Sequence, residues 1–337
     1  MGLYLNPDNE DFQQVLNSEI YVDKTELIAY TNSVLRTEQK YICVSRPRRF
    51  GKSMAANMLT AYYSKGCDSK EMFSELKIAQ DESFEKHLNQ YNVIHLDMTK
   101  FVRGEQNIHA TLDKLSRKVM KELKKTYPDA DDSDWDDLVS ALEQIYAEYK
   151  EPFIFIIDEW DCVFREWKND SESQKIYLTF LRDLIKGQSY LALAYMTGIL
   201  PIKKYGVHST INVFYEYSMT NQKRLAEFTG FTEQEVADLC IKYDMSYDEM
   251  KKWYDGYSLN GYSIYNPKSV VEALTEKVFD NYWSQTETYH AISDYIRMNF
   301  DGLREKIILM LAGEAVKVNT GKFQNDMYYN YIQSPNH

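Results

Sequence analysis

The sequence predicts an α/β protein: a parallel sheet with flanking helices, followed by a smaller, mostly helical domain. Three observations carry this. Apolar runs of strand length recur, and Phe153 to Ile157 (FIFII) and Leu191 to Met196 (LALAYM) show no polar alternation, as in strands covered on both faces. The segments between such runs carry apolar residues at helical spacing. Strands alternating with helices build a parallel sheet. A length of 337 residues suits two such parts, at ~150 residues per domain.

In chain order, Tyr21-Val22-Asp23-Lys24-Thr25 leads into a helix from Glu26, with Thr25 as its expected cap. Tyr41 to Ser45 is a short β-prone run. The polar stretch Arg46-Pro47-Arg48-Arg49-Phe50-Gly51-Lys52-Ser53 follows, and then Met54, Met58 and Tyr62 at helical spacing. Asn92 to Met98 reads as a second strand, and Ile108, Leu112, Leu115, Val119 and Leu123 mark an amphipathic helix. Residues 128–137 hold six Asp in ten positions. They suit a solvated loop opening the next helix, since carboxylates near a helix start are favoured by its dipole. A calcium loop would need a Gly and a closing Glu that this stretch lacks. Trp135, Leu138, Leu142, Ile145 and Tyr149 continue as a helical stripe. Tyr177, Phe180, Leu181 and Leu184 give another helix before Leu191 to Met196, which ends at Thr197-Gly198. Past residue 222 the texture changes. Thr232-x-x-Glu235 is a capping box, Trp253 to Tyr257 is an aromatic cluster suited to a helical core, and residues 228–312 read as mostly helical.

Composition narrows the function. With 44% apolar and 27% charged residues the chain is globular. A net charge of −12 argues against coating nucleic acid with the whole surface, while allowing a local basic patch. The four cysteines form no CxxC pair, so neither structural zinc nor a disulfide framework is expected. No signal peptide, myristoylation site or membrane-length apolar run is present, and the expectation is a cytoplasmic protein.

Chemistry concentrates at the first strand. Gly51-Lys52-Ser53 lies between a strand and a helix, where a P-loop puts its last glycine, its lysine and its hydroxyl. Backbone N–H groups of Arg48, Arg49, Phe50, Gly51, Lys52, Ser53 and Met54 are the expected cradle for the phosphates of ATP. Lys52 would reach the β- and γ-phosphates and Ser53 would ligate Mg²⁺. The first glycine of the general pattern is Arg46 here. About 106 residues past Lys52, FIFII runs into Asp158-Glu159, a Walker-B pattern. Asp158 is the expected Mg²⁺ partner, and Glu159 the base that polarises the attacking water. Thr197, at the tip of the next strand, is the expected γ-phosphate sensor. Arg46, Arg48 and Arg49 form the densest basic patch, with one expected at phosphate or the adenine side and the others in ion pairs. Asp23-Lys24-Thr25 is either a base-side segment or a plain helix start.

These strings, with Ile157-Asp158-Glu159-Trp160-Asp161, Gly230-Phe231-Thr232 and Tyr265-Asn266-Pro267, resemble the bacterial AAA-ATPase-like family from about residue 5 to residue 300. The RPRRFGKS string is the most specific sign. The resemblance implies a P-loop NTPase sheet of the additional-strand, catalytic-glutamate type, in which Arg at the first P-loop position is usual. Trp160 stands where many relatives have Tyr, and Ser209-Thr210-Ile211-Asn212 is a loose version of the family's stretch after the sensor. Members often continue into a PD-(D/E)XK nuclease domain. Here Asp129 with Glu148-Tyr149-Lys150 matches that pattern on paper only, since one lies in the acidic loop and the others on a helical stripe.

The expected layout is an AAA-ATPase-like P-loop domain over 1–222, a helical lid or relay over 223–312, and a truncated tail over 313–337. On this reading the chain is a shortened member or a fragment, and nuclease activity is not expected. The function expected is Mg²⁺-dependent ATP hydrolysis that drives or gates a conformational change. The alternative is a slow-turnover switch signalling to a partner or to a lost nuclease effector. A protein partner, direct nucleic-acid contact, and an oligomer whose arginine finger is Arg165, Arg182 or Arg224 all stay open.

Overall fold

The computed structural model describes residues 2–167, 170–202, 211–218, 223–255, 257–259, 262–282, 306, 308 and 309. Five strands form a parallel sheet: β1 (Tyr41–Ser45), β2 (Asn92–Asp97), β3 (Phe153–Asp158), β4 (Leu191–Gly198) and β5 (Tyr215–Tyr217), in the order β2-β3-β4-β1-β5. Every residue of β1, β3 and β4 is buried, which is why these strands read as unbroken apolar runs.

Side chains alternate between the two faces of the sheet. Phe155, Ile157, Met196 and Cys43 join one core, with Leu115, Val119, Leu142 and Tyr177 from α7 (Ile108–Thr126), α8 (Leu138–Tyr149) and α10 (Ser171–Ile185). Ile154, Ile156, Tyr195 and Val44 face a second core, built with α1 (Glu10–Leu16), α2 (Glu26–Val34) and α3 (Lys52–Tyr63). Short helices fill the connections: α4 (Lys70–Phe73), α5 (Phe84–His87), α6 (Met98–Val102) and α9 (Cys162–Glu166). The outer edge of β2 is covered by an antiparallel bridge from Leu5 to Ile94, which removes one open sheet edge.

A third core is built from residues after 228 together with Ile20. It joins α11 (Glu233–Lys242), α12 (Tyr247–Tyr254) and α13 (Pro267–Glu276) to an antiparallel sheet of β6 (Phe231–Thr232), β7 (Tyr257–Leu259) and β8 (Tyr262–Tyr265), in the order β6-β8-β7. This part is therefore helical plus a small sheet, where helical periodicity alone suggested helices. The missed signal was Asn260-Gly261 between two β-prone runs, a strong two-residue hairpin marker. Tyr254 of the aromatic cluster is buried against Phe279 and Tyr282, as a core residue. The Thr232/Glu235 capping box is present.

Thr25 does not cap α2. Its backbone is already helical (φ −67°, ψ −12°), whereas a capping residue needs extended geometry. Its hydroxyl donates to Asp23 Oδ1 at 2.7 Å and accepts from the Ile78 backbone at 3.1 Å. Asp129 lies in the turn before α8 and Glu148 on α8 itself, so neither sits on a strand as the nuclease pattern requires. Residues 209–210 of the loose post-sensor stretch, the side chain of Arg224 and the tail 313–337 lie outside the described residues. Among the described residues, no helix is long and apolar enough to cross a membrane.

Gly230 splices the two sheets together. Its N–H donates to the Phe50 carbonyl at 3.1 Å. Its φ is +90°, and a Cβ there would lie 2.4 Å from the Ile264 methyl. Gly230→Ala combines backbone strain with overpacking, so we expect a loss of about 1–3 kcal/mol, read as a lowered urea midpoint. An unchanged midpoint would show that this junction is loose.

Candidate nucleotide site

Parallel sheets place their ligands at the carboxyl ends of the strands, and the predicted residues gather there. β1 ends at Ser45 beside Gly198 of β4, and Ile157 of β3 pairs with Met196 of β4. β4 thus separates the strand that feeds the Gly51–Ser53 loop from the strand that carries Asp158. This is the additional-strand arrangement that the resemblance implied.

Gly51 is the N-cap of α3. Its φ of +80° is natural for glycine, and nothing lies within 4 Å of where a Cβ would be. As a glycine it makes no side-chain cap, so the first N–H groups of α3, unsatisfied within the helix itself, are not bonded by their N-cap residue. Lys52 is 5% exposed, and its Nζ donates to the Pro47 carbonyl at 3.0 Å. Burial pushes its pKa down, and the nearby Glu159, Asp158 and Asp161 pull it back up.

The two residues of the Asp158-Glu159 pair do different jobs. Asp158 is buried. Its Oδ1 accepts from the Glu159 backbone at 3.1 Å and from the Thr197 hydroxyl, while Oδ2 takes no bond among the described residues. Glu159 has φ +53°, a left-handed conformation that is rare for a side chain of this size. Its carboxylate pairs with Arg165 Nη2. Burial pushes its pKa up, against the opposing pull of Arg165 and then Lys52.

One cavity of about 760 Å³ takes in Lys52 and Glu159, while Asp158 does not line it; the volume is in the range of small-ligand pockets. Arg48, Arg49, Phe50, Gly51, Lys52, Ser53 and Met54 all line it, together with Glu159 and Arg165. Val15, Ile20, Tyr21 and Val22, with Phe231 and Val271 of the third core's elements, add apolar lining.

Several predicted residues are placed elsewhere. Thr197 is fully buried behind Asp158 and does not line the cavity. Arg46 turns inward. Its Nη1 donates to the Tyr217 carbonyl at 2.7 Å and to its own neighbour's carbonyl at 3.2 Å, and burial lowers its pKa to about 10. It ties the loop to β5, and the cavity-lining arginines are Arg48 and Arg49. Asp23 faces away and accepts the Lys77 backbone N–H at 2.7 Å. Lys24 does line the cavity, held by Glu235 at 2.5 Å and the Glu227 carbonyl.

Sequence reasoning missed Asp161. It is fully buried and accepts the backbone N–H groups of Ile199 and Leu200 at 3.1 and 2.9 Å, with Arg165 Nε 3.5 Å away. Charged residues after a strand read as a solvated exit, and no local pattern signals that one of them is swallowed by the fold.

No group of three or more metal-ligating side chains of the His, Cys, Asp or Glu type exists among the described residues. Of the two expected Mg²⁺ partners, Ser53 lines the cavity, and Asp158 is buried and precedes Glu159, which does line it.

The chain aligns with an uncharacterized protein from the vnfD 5′ region of Azotobacter chroococcum mcd 1, at 22% identity over 275 residues. The match takes in 80% of this chain and 51% of that protein, so the chain spans about half the length of this relative. Among solved structures it aligns with a DNA replication initiation factor at 12% identity, covering 87% of this chain and 67% of that one, with a TM-score of 0.31. A family model described as a predicted AAA-ATPase matches residues 9–208. That span includes the Gly51–Ser53 loop, Asp158-Glu159 and Thr197, and the chain belongs to the AAA-ATPase-like family, with its nucleotide-binding P-loop fold.

Proposed function

We propose that this chain binds Mg²⁺-ATP in the cavity and hydrolyses it, so that the third core's elements sense the state of the nucleotide. The observation carrying this reading is that the glycine-opened start of α3 and Glu159 line one cavity. Lys52 gives up its bond to the Pro47 carbonyl and takes the β- and γ-phosphates. Ser53 and Asp158 would hold Mg²⁺, which would neutralise charge on the phosphate oxygens. Glu159 takes a proton as the water oxygen attacks the γ-phosphorus. The bond from that phosphorus to the bridging oxygen breaks, its electron pair leaves with ADP, and inorganic phosphate is released. Thr197 acts through Asp158, whose Oδ1 it holds.

The apolar lining of the cavity is where the base would lie, against Val271 of α13 and Ile20 of the third core. This contact gives residues 223–312 their proposed role as lid or relay. The alternative, a slow-turnover switch, uses the same site and differs only in the rate of the chemical step.

Binding is tested with a fluorescent ATP analogue at equilibrium. Lys52→Ala removes a charge-assisted contact from a buried site, so affinity is expected to fall by about 10- to 100-fold. Equal affinity in both proteins, or no binding by the wild type at millimolar nucleotide, would sink the reading.

A further inference from the structure

Arg165 stands among two carboxylates, Glu159 and Asp161, and also lines the cavity. It comes from α9, the short helix directly after β3, and its side chain is 19% exposed. Nη2 holds Glu159. Nε is buried with no hydrogen bond, 3.5 Å from Asp161 Oδ2. The same residue lines the cavity together with Lys52 and Ser53. Of the other arginines in question, Arg182 pairs with Asp183 at 2.7 Å on a half-exposed face and lies off the cavity.

We propose that Arg165 is a γ-phosphate ligand supplied by the chain itself, which gives up Glu159 when a triphosphate enters. This rests on the ATP reading above. A guanidinium is always charged and presents five N–H donors in a planar fork suited to phosphate oxygens. A terminal phosphate carries up to about two charges and three acceptor oxygens, against one charge and two oxygens on Glu159. With Lys52 bound to phosphate beside it, the triphosphate is the stronger competitor for Arg165. Transfer of the fork to the γ-phosphate leaves both Glu159 oxygens to the attacking water. ADP lacks the third phosphate and leaves the Glu159–Arg165 pair closed. The site thereby couples the number of phosphates to the availability of its base.

The test compares binding of Mg²⁺-ADP with that of a non-hydrolysable Mg²⁺-ATP analogue to the full chain. Arg165→Ala is expected to weaken the triphosphate by about 10- to 100-fold, the effect of one bond to a charged group, and ADP by less than about threefold. Arg165→Lys retains the charge without the fork and falls between. Glu159→Gln removes the competing charge, so it tightens the triphosphate and leaves ADP unchanged, an arm that stands even if Arg165→Ala folds poorly. In the double variant Arg165→Ala/Glu159→Gln that tightening disappears. Equal weakening of both nucleotides by Arg165→Ala, or tightening that survives in the double variant, would overturn the assignment. If neither nucleotide binds the wild type, or if Lys52→Ala binds both normally, the ATP reading itself has failed and this inference falls with it.

Discussion

Glu159→Gln is expected to cut ATP turnover by roughly a thousandfold, within the 10²- to 10⁴-fold range of a positioned general base, while ATP binding persists. The amide keeps the shape of the side chain at a backbone position of φ +53°, but it cannot take the proton of the attacking water. Burial already pushes the Glu159 carboxyl up, and Arg165 with Lys52 opposes this, so the group sits among partners that keep it a usable base. A radiolabelled ATP assay at saturating nucleotide gives the answer. If the wild type hydrolyses no faster than the variant while both bind ATP, hydrolysis is excluded and the slow switch becomes the function.

Asp161→Ala is expected to be the most destabilising single change near the site, at about 3 kcal/mol. It strands the N–H groups of Ile199 and Leu200 and removes one partner of Arg165. Some of that loss is offset, because burial penalises the Asp161 charge and pushes its pKa up. Asp161→Asn keeps an oxygen for both N–H groups and should cost about half as much. Urea unfolding followed by circular dichroism separates the two, as a lower midpoint at unchanged slope. Equal midpoints for wild type and Asp161→Ala would mean that the exit of β4 is held by something other than this carboxylate.

The sheet was legible in the sequence because its strands are buried on both faces and cannot afford polar alternation, as Phe153 to Ile157 shows. Strand order was not legible from those runs, since the placing of β4 between β1 and β3 is decided by contacts far apart in the chain. At the site, Gly51, Lys52 and Ser53 announced themselves by spacing. Thr197 did not announce its partner: a hydroxyl at a strand tip can point at ligand or at protein, and here it points at Asp158. Arg46 looked like a member of the basic patch because sequence cannot show that a side chain folds back under its own loop. Asp161 and Arg165 carry the same lesson, since their roles follow from burial and from each other.

The Phe50–Gly230 hydrogen bond sets the length of the path from the Gly51–Ser53 loop to the second sheet. Phe50 belongs to the loop that lines the cavity, and Gly230 is one residue from β6. No strand of the large sheet has to slide for one to feel the other. A glycine with a methyl of Ile264 seated against it has little slack in which to absorb a shift. The loop and β6 are thus one hydrogen bond apart at this junction, with Lys24 bound to Glu235 as a second tie.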